Sequence, residues 1–365
     1  MSGPTVEIMR PAARAAAILR QEIREGVYGI GQRLAEERAL AERFNLSRGT
    51  IRQALKTLEQ ERLIIRQQGR GTFVANPSYA PAGAAAGAAL IAAMVWEKEF
   101  YFGAILRAAS SQSAMRGYML TTGSNLTAEE EERHVEAFIK NGVRGLIMTP
   151  RPKQSSATHE TLRAAGIPVV MLDVMLPGTE EDFVSVDNRR GTVLATRHML
   201  ELGHRRLAYL GTNNPDDIPC RPERLGGFLD ACGEAGIEVP RPWRLELAED
   251  AYQAPLRSVL KGKDRPTAFV TYNDDCALRV IVTARELGLK VPADLSVSGF
   301  DDTSVARNCD VPITTIHPEF REVGIEAVNL LVEKMETPRE RSTVNILVTP
   351  KLVARQSTGK APKTT

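Results

Sequence analysis

Between Glu36 and Val74 the hydrophobic pattern changes period twice, and few folds accommodate what that pattern asks for. Leu40 and Phe44 stand four residues apart, on one face of a short helix. Asn45-Leu46 breaks that helix, and Ser47 is a suitable N-cap for a second one. The second helix aligns Ile51, Leu55 and Leu58 on one side and Arg48, Thr50, Arg52 and Gln53 on the other. That outer face carries arginines and hydrogen-bonding groups, with no acid among its own residues. Two helices joined by a tight turn, the second with this polarity, predict a helix-turn-helix whose second helix enters the major groove of DNA.

A hairpin is predicted next. Leu63–Arg66 and Thr72–Val74 are β-rich runs separated by Gln67-Gln68-Gly69-Arg70-Gly71. Glycines at such a tip let the backbone approach a phosphate or a minor groove, where Arg70 meets the negative potential. The candidate DNA contacts are therefore Arg38, Ser47, Arg48, Thr50, Arg52, Gln53, Gln68, Gly69, Arg70 and Gly71. Charge agrees with this reading. Residues 1–76 hold 13 Lys/Arg and 8 Asp/Glu, a net of +5, whereas the remaining 289 residues sum to −3. The phosphate-seeking end is the basic one, and its modest charge favours two copies reading a near-symmetric duplex site. Positions 10–75, from the lead-in Leu19–Tyr28 to the closing Gly69-Arg70-Gly71-Thr72-Phe73-Val74, resemble the GntR-type winged helix in spacing, residue type and order.

At 365 residues the chain is too long for one average core, so further domains are expected. No run is long and apolar enough to span a membrane, and no signal segment opens the chain, which predicts a cytoplasmic protein without a membrane partner. Cys220, Cys232, Cys276 and Cys309 lack metal-ligand spacing, and the five histidines are scattered, so neither a metal nor a cofactor is expected. Residues 76–88, rich in Ala, Pro and Gly, read as a linker between a 1–75 head and an 89–356 body, and 357–365 reads as a disordered tail.

From residue 89, apolar runs alternate with amphipathic stretches. Strands are predicted at 90–95, 118–122, 145–149, 168–173, 183–187, 206–211, 267–272 and 295–300, with helices between and after them. Repeated strand–helix units predict an α/β fold of parallel sheets flanked by helices, and eight or more strands predict two such sheets. Ligands of these sheets bind beyond the carboxyl ends of the strands. The residues there include Trp96, Phe100, Tyr101, Ser124, Asp173, Arg224, Asn273, Asp274 and Asp301. Carboxylates, amides and one arginine, with flat rings to cover C–H faces, suit a polyhydroxylated ligand.

The segments Leu202–Gly211, Arg224–Phe228, Thr271–Leu278, Val297–Asp302 and Thr314–Pro318 are similar to the LacI/GalR sensor domain, in the order that family has them. The resemblance implies a periplasmic-binding-protein-like body over 89–356: two lobes, an effector between them, and pairing of two chains as a homodimer. It also implies that Arg224 grips ligand oxygens, that Asn273 or Asp274 and Asp301 are cleft acceptors, and that Phe100 or Tyr101 forms the first-lobe wall. The reading is a repressor that binds an operator in double-stranded DNA and is released by a sugar or related metabolite. A constitutive DNA-binding protein whose body only dimerises, and a regulator using its metabolite as corepressor, stay open beside it. Catalysis is not expected: G-x-S-x-G is missing, and Gly29-Ile30-Gly31 lacks the rest of a dinucleotide fingerprint.

Overall fold

The computed structural model describes residues 11–24, 27–28, 32–60, 63–67, 71–74, 89–96, 102–151, 155–176, 178–213, 220–248, 250–336 and 343–362. Two units make up the chain. The expected linker at 76–88, and the site candidates Gln68, Gly69, Arg70, Phe100 and Tyr101, lie outside the described residues.

The head contains α1 (Pro11–Arg24), α2 (Glu37–Phe44), α3 (Arg48–Gln60), β1 (Ile64–Gln67) and β2 (Gly71–Val74). Asn45 stops α2 by turning left-handed, at φ 52°. The Ser47 hydroxyl then accepts the Thr50 N–H at 3.1 Å, which satisfies an orphan donor at the start of α3. Leu19, Leu40, Ile51, Leu55, Leu58, Ile64 and Val74 form the buried core, with Phe44 packed partly against it. The wing pairs Ile64 with Val74 and Gln67 with Gly71 in antiparallel register. A feature absent from the sequence reading extends it: Leu34 N–H donates to the Thr72 carbonyl at 2.8 Å and Val74 N–H to the Gln32 carbonyl at 2.9 Å. Residues 32–34 thus tie the wing to the segment that leads into α2.

The body starts with β3 (Ala89–Val95), α4 (Phe102–Met115), β4 (Tyr118–Ser124), α5 (Ala128–Lys140), β5 (Leu146–Met148), α6 (Ser155–Ala164), β6 (Val169–Leu172) and β7 (Asp182–Val186). The chain then enters a second lobe with α7 (Asn188–Glu201), β8 (Leu207–Thr212), α8 (Cys220–Glu234), β9 (Arg244–Leu247), α9 (Gln253–Lys261), β10 (Ala268–Thr271), α10 (Asp274–Glu286), β11 (Ser296–Phe300), α11 (Ser304–Asn308) and β12 (Thr314–His317). It returns to the first lobe as α12 (Phe320–Glu336) and β13 (Asn345–Val348), and ends in the second as β14 (Lys351–Val353). The sheet orders are β13-β7-β6-β5-β3-β4 and β14-β12-β11-β10-β8-β9. In the second sheet β14 alone runs antiparallel to its neighbour. The chain crosses between lobes three times, at residue 187, at 318–319 and at 349–350.

The expected strands and helices all form, within a residue or two of the expected bounds. The sequence does not announce β9, β12, β13 and β14: three are edge strands of three or four residues, and Thr314-Thr315 hides the fourth. The expected disordered tail is corrected over 357–362. Ser357 is fully buried, its hydroxyl donates to the Val297 carbonyl at 2.6 Å, and Ala361 N–H donates to the Leu202 carbonyl at 2.9 Å. A small, polar composition reads as disorder, yet here its backbone and hydroxyls meet buried partners.

Candidate functional site

On the head, α3 projects Arg48, Arg52 and Gln53 outward, all exposed, with Thr50 half-buried. The Ser47 and Thr50 hydroxyls lie 2.8 Å apart, so the turn itself fixes two candidate contacts. The acid-free face needs a correction. Glu37, at the start of α2, accepts from Arg52 Nε at 3.3 Å and Nη2 at 3.1 Å. Arg38 is likewise paired, with Glu42 one turn on at 3.2 Å. Spacing along α3 alone could not reveal Glu37, because it arrives from the neighbouring helix. Gly71 opens β2 opposite Gln67, where a hairpin returns.

In the body, the described candidates other than Arg224 lie at or just past strand ends, as the parallel-sheet rule requires. Arg224 lies in the first turns of α8 and is 8% exposed. Its Nε donates to Asn188 Oδ1 at 2.8 Å, Nη1 to the Tyr272 carbonyl at 2.7 Å and Nη2 to Asp301 Oδ1 at 3.1 Å. The guanidinium also stacks 3.6 Å from the centre of the Phe300 ring and 4.8 Å from that of Tyr272. Burial works against its charge, and Asp301, Cys220 and Tyr272 together outweigh burial, so protonation is reinforced. Burial pushes the Asp301 carboxyl up, while Arg224 pulls it back. Arg224 therefore also has a structural duty: it ties the start of α7 to the ends of β10 and β11.

Asp173 caps β6 at φ 63°, accepting from Ser185 Oγ at 3.1 Å. Its charge is felt at Asp301, Cys220 and Glu223, all in the second lobe. Burial, then Asp173 and Asp187, raise the Glu223 carboxyl. Asn273 accepts the Cys276 N–H at 2.9 Å as N-cap of α10.

Asp274 is corrected as a cleft acceptor. It is 1% exposed, and its carboxylate accepts from Thr303 N–H at 2.7 Å, Thr303 Oγ1 at 3.0 Å and Thr315 Oγ1 at 2.6 Å. Burial and the nearby Asp301 push its carboxyl up to about 7. Adjacent acids in Asn-Asp-Asp look alike in sequence; helix phase turns this one inward, against Gly299.

The first lobe contributes a different chemistry. Trp96 Nε1, Ser124 Oγ, Asn125 Oδ1 and Thr149 Oγ1 are buried without a hydrogen-bond partner, four of the seven such side-chain atoms among the described residues. They follow or end β3, β4 and β5, which are neighbours in the sheet. Arg151 packs over the Trp96 ring at 5.9 Å and donates to the Leu126 carbonyl at 2.6 Å. Beneath them the buried Glu131 accepts from Asn125 at 3.2 Å and Ser155 at 2.9 Å. Asn125, Glu131 and Arg151 escaped the sequence reading, although a polar residue just past a strand end was the available signal for Asn125.

A winged helix-turn-helix joined to a two-lobed body with polar strand ends is the architecture of a DNA-binding regulator with a ligand-binding body. The chain matches the model of bacterial regulatory proteins of the gntR family over residues 11–74 and that of the periplasmic binding protein-like domain over residues 196–358. It is 33% identical over 360 residues to an arabinose metabolism transcriptional repressor of Halalkalibacterium halodurans, covering 94% of this chain and 95% of that one. It is 32% identical over 338 residues to the arabinose metabolism transcriptional repressor of Geobacillus stearothermophilus, covering 90% and 92%. A solved structure described as a complex of the transcriptional regulator CelR with cellobiose has the same fold, with TM-score 0.64 at 22% identity, covering 97% of this chain and all of that one. The chain belongs to the family of GntR-headed repressors with a periplasmic-binding-protein-like body.

Proposed function

We propose that this repressor binds an uncharged sugar between its lobes and leaves its operator when the sugar is bound. The observation that carries the reading is the cluster of buried atoms without partners at Trp96, Ser124, Asn125 and Thr149. Buried polar groups are rarely left unsatisfied, and hydroxyls of a ligand supply both donors and acceptors. Asp301 and Arg224, with Asp173 and Asn273, face that ligand from the other strand ends, while Asp274 only braces them. The relatives named for arabinose and the fold neighbour named with cellobiose support a neutral sugar.

Arg48, Arg52, Gln53, Thr50 and Ser47 read or position DNA in this proposal, with Arg38, the wing tip at Gln68, Gly69 and Arg70, and Gly71 on the backbone. The head spans 1–75 and the body 89–356, with 76–88 between. The protein acts as a homodimer in the cytoplasm and has no catalytic role. A thermal-shift series with pentoses, hexoses, disaccharides and their acids tests the effector. Stabilisation by one neutral sugar is expected, reversed in part by Thr149→Val. A melting temperature unmoved by every neutral sugar, with operator binding intact, refutes the sugar reading and favours a constitutive binder. Tighter operator binding with sugar makes it a corepressor.

A further inference from the structure

Directly behind the Arg224–Asp301 pair lies a second network, and the chain passes from one to the other across a single peptide bond. Asp302 Oδ1 accepts from Arg355 Nη2 at 2.5 Å, and Oδ2 lies 3.1 Å from His317 Nδ1 and 3.7 Å from Arg307 Nη1. Asp301 and Asp302 are both left-handed, at φ 96° and 48°. Consecutive non-glycine residues in that region are costly, so surrounding contacts must hold them there. Asp301 N–H is held by the Ile316 carbonyl at 2.9 Å.

The partners of Asp302 are informative because of where they sit. His317 ends β12 immediately before the second lobe crossing, and Arg355 follows β14 shortly after the third. Glu319, itself left-handed at φ 56°, joins those two crossings through Lys351 at 2.7 Å. The first crossing is bound to the third by Asp187 N–H donating to the Val348 carbonyl at 2.9 Å. Asn188, next in the chain, is held by Arg224. One continuous set of contacts therefore runs from the Arg224 guanidinium to all three crossings: by Asn188 and Asp187 to the first and third, and by Asp301 and Asp302 to the second and third.

We propose that Asp302 is a positioning residue that couples the Arg224–Asp301 pair to the lobe crossings, passing any change in how Asp301 is held to the hinge. Its regulatory meaning rests on Asp301 and Arg224 meeting the effector; the coupling itself does not. Rigid contacts with two arrangements can carry such coupling, and a double-mutant cycle is its direct test.

The experiment is hydrogen exchange on the full-length protein without ligand, comparing wild type, Arg224→Lys, Asp302→Asn and the double variant. Lysine keeps a cation beside Asp301 but cannot reach Asn188, Tyr272 and Asp301 together. Arg224→Lys is expected to speed exchange over 314–323 at least about two-fold, with no further change once Asp302 is Asn, whereas 345–350 also answers through Asn188 and Asp187 and is left out of the cycle. Additive effects, or crossings unmoved by Arg224→Lys, overturn the proposal, because a merely structural Asp302 gives one of those results. Peptides of β5 and β6 act as a control for global loosening, and Asp302→Glu replaces Asp302→Asn if they loosen. Failure of sugars to stabilise the protein would sink the effector reading and leave this cycle intact.

Discussion

Arg52 is a residue whose environment decides its job. Glu37 occupies the Nε and Nη2 edge of the fork and so fixes the orientation of the guanidinium. Replacing Arg52 with Ala should lower operator affinity roughly five- to a hundred-fold and leave random duplex nearly unchanged, as for a base-reading arginine. Anisotropy titrations on both duplexes check this, and an equal loss on the two would make Arg52 a phosphate contact. Asp301 belongs to a harsher environment. Asp301→Asn leaves a buried guanidinium without its counter-charge, and breaking a buried pair costs about 3–5 kcal/mol. Urea unfolding measures the loss, and a value under about 1 kcal/mol would mean that Phe300 and the carbonyl of Tyr272 hold Arg224 unaided. Arg224→Ala is consequently a poor probe of ligand binding alone, since it also strands Asp301.

Among the elements, the clasp between β8, β11 and the C-terminal segment has a defined pH response. His204 is fully buried, its Nδ1 2.9 Å from Thr267 Oγ1 and its Nε2 3.0 Å from the Gly359 carbonyl. The carbonyl can only accept, so Nε2 carries a proton. Burial lowers the His204 and His198 values below that of an exposed imidazole. A depressed folded value means that their contribution to stability is present above about pH 6.5 and lost as pH falls through the folded values. Melting temperatures from pH 7.5 to 5 should fall, and His204→Gln should flatten the decline; an unchanged slope would assign it elsewhere. This clasp also marks the limit of sequence reading. Apolar runs such as Leu90–Val95 and Pro168–Asp173 announce their strands, and the rule of strand ends locates Arg224, Asp301 and Trp96. Ser357 and Gly359 announce nothing, because their partners, Val297 and His204, are distant in sequence. Asp274 and the acid beside the outer face of α3 elude sequence reading for the same reason: orientation and neighbours from other elements decide what a carboxylate touches.

For the molecule as a whole, charge is divided between its parts, +5 in residues 1–76 and −3 beyond. Non-specific binding is a property of the basic head, so log affinity should fall linearly with log salt on both operator and random DNA. Nearly equal slopes with a constant offset are expected, the offset being sequence reading by α3. A steeper slope on operator would mean extra phosphate contacts form there.

The three crossings have a consequence for how the protein is made. The first-lobe sheet receives its edge strand β13 only at Asn345–Val348, after every second-lobe helix has been synthesised. β14 follows three residues later, covers β12 and becomes the edge of the other sheet. On the ribosome, then, neither lobe is finished before the other. A chain stopped ahead of residue 345 turns β7 and β12, internal in the finished sheets, into edges at once, a template for pairing with other chains. Premature termination in this gene should yield aggregates rather than a repressor with one working lobe.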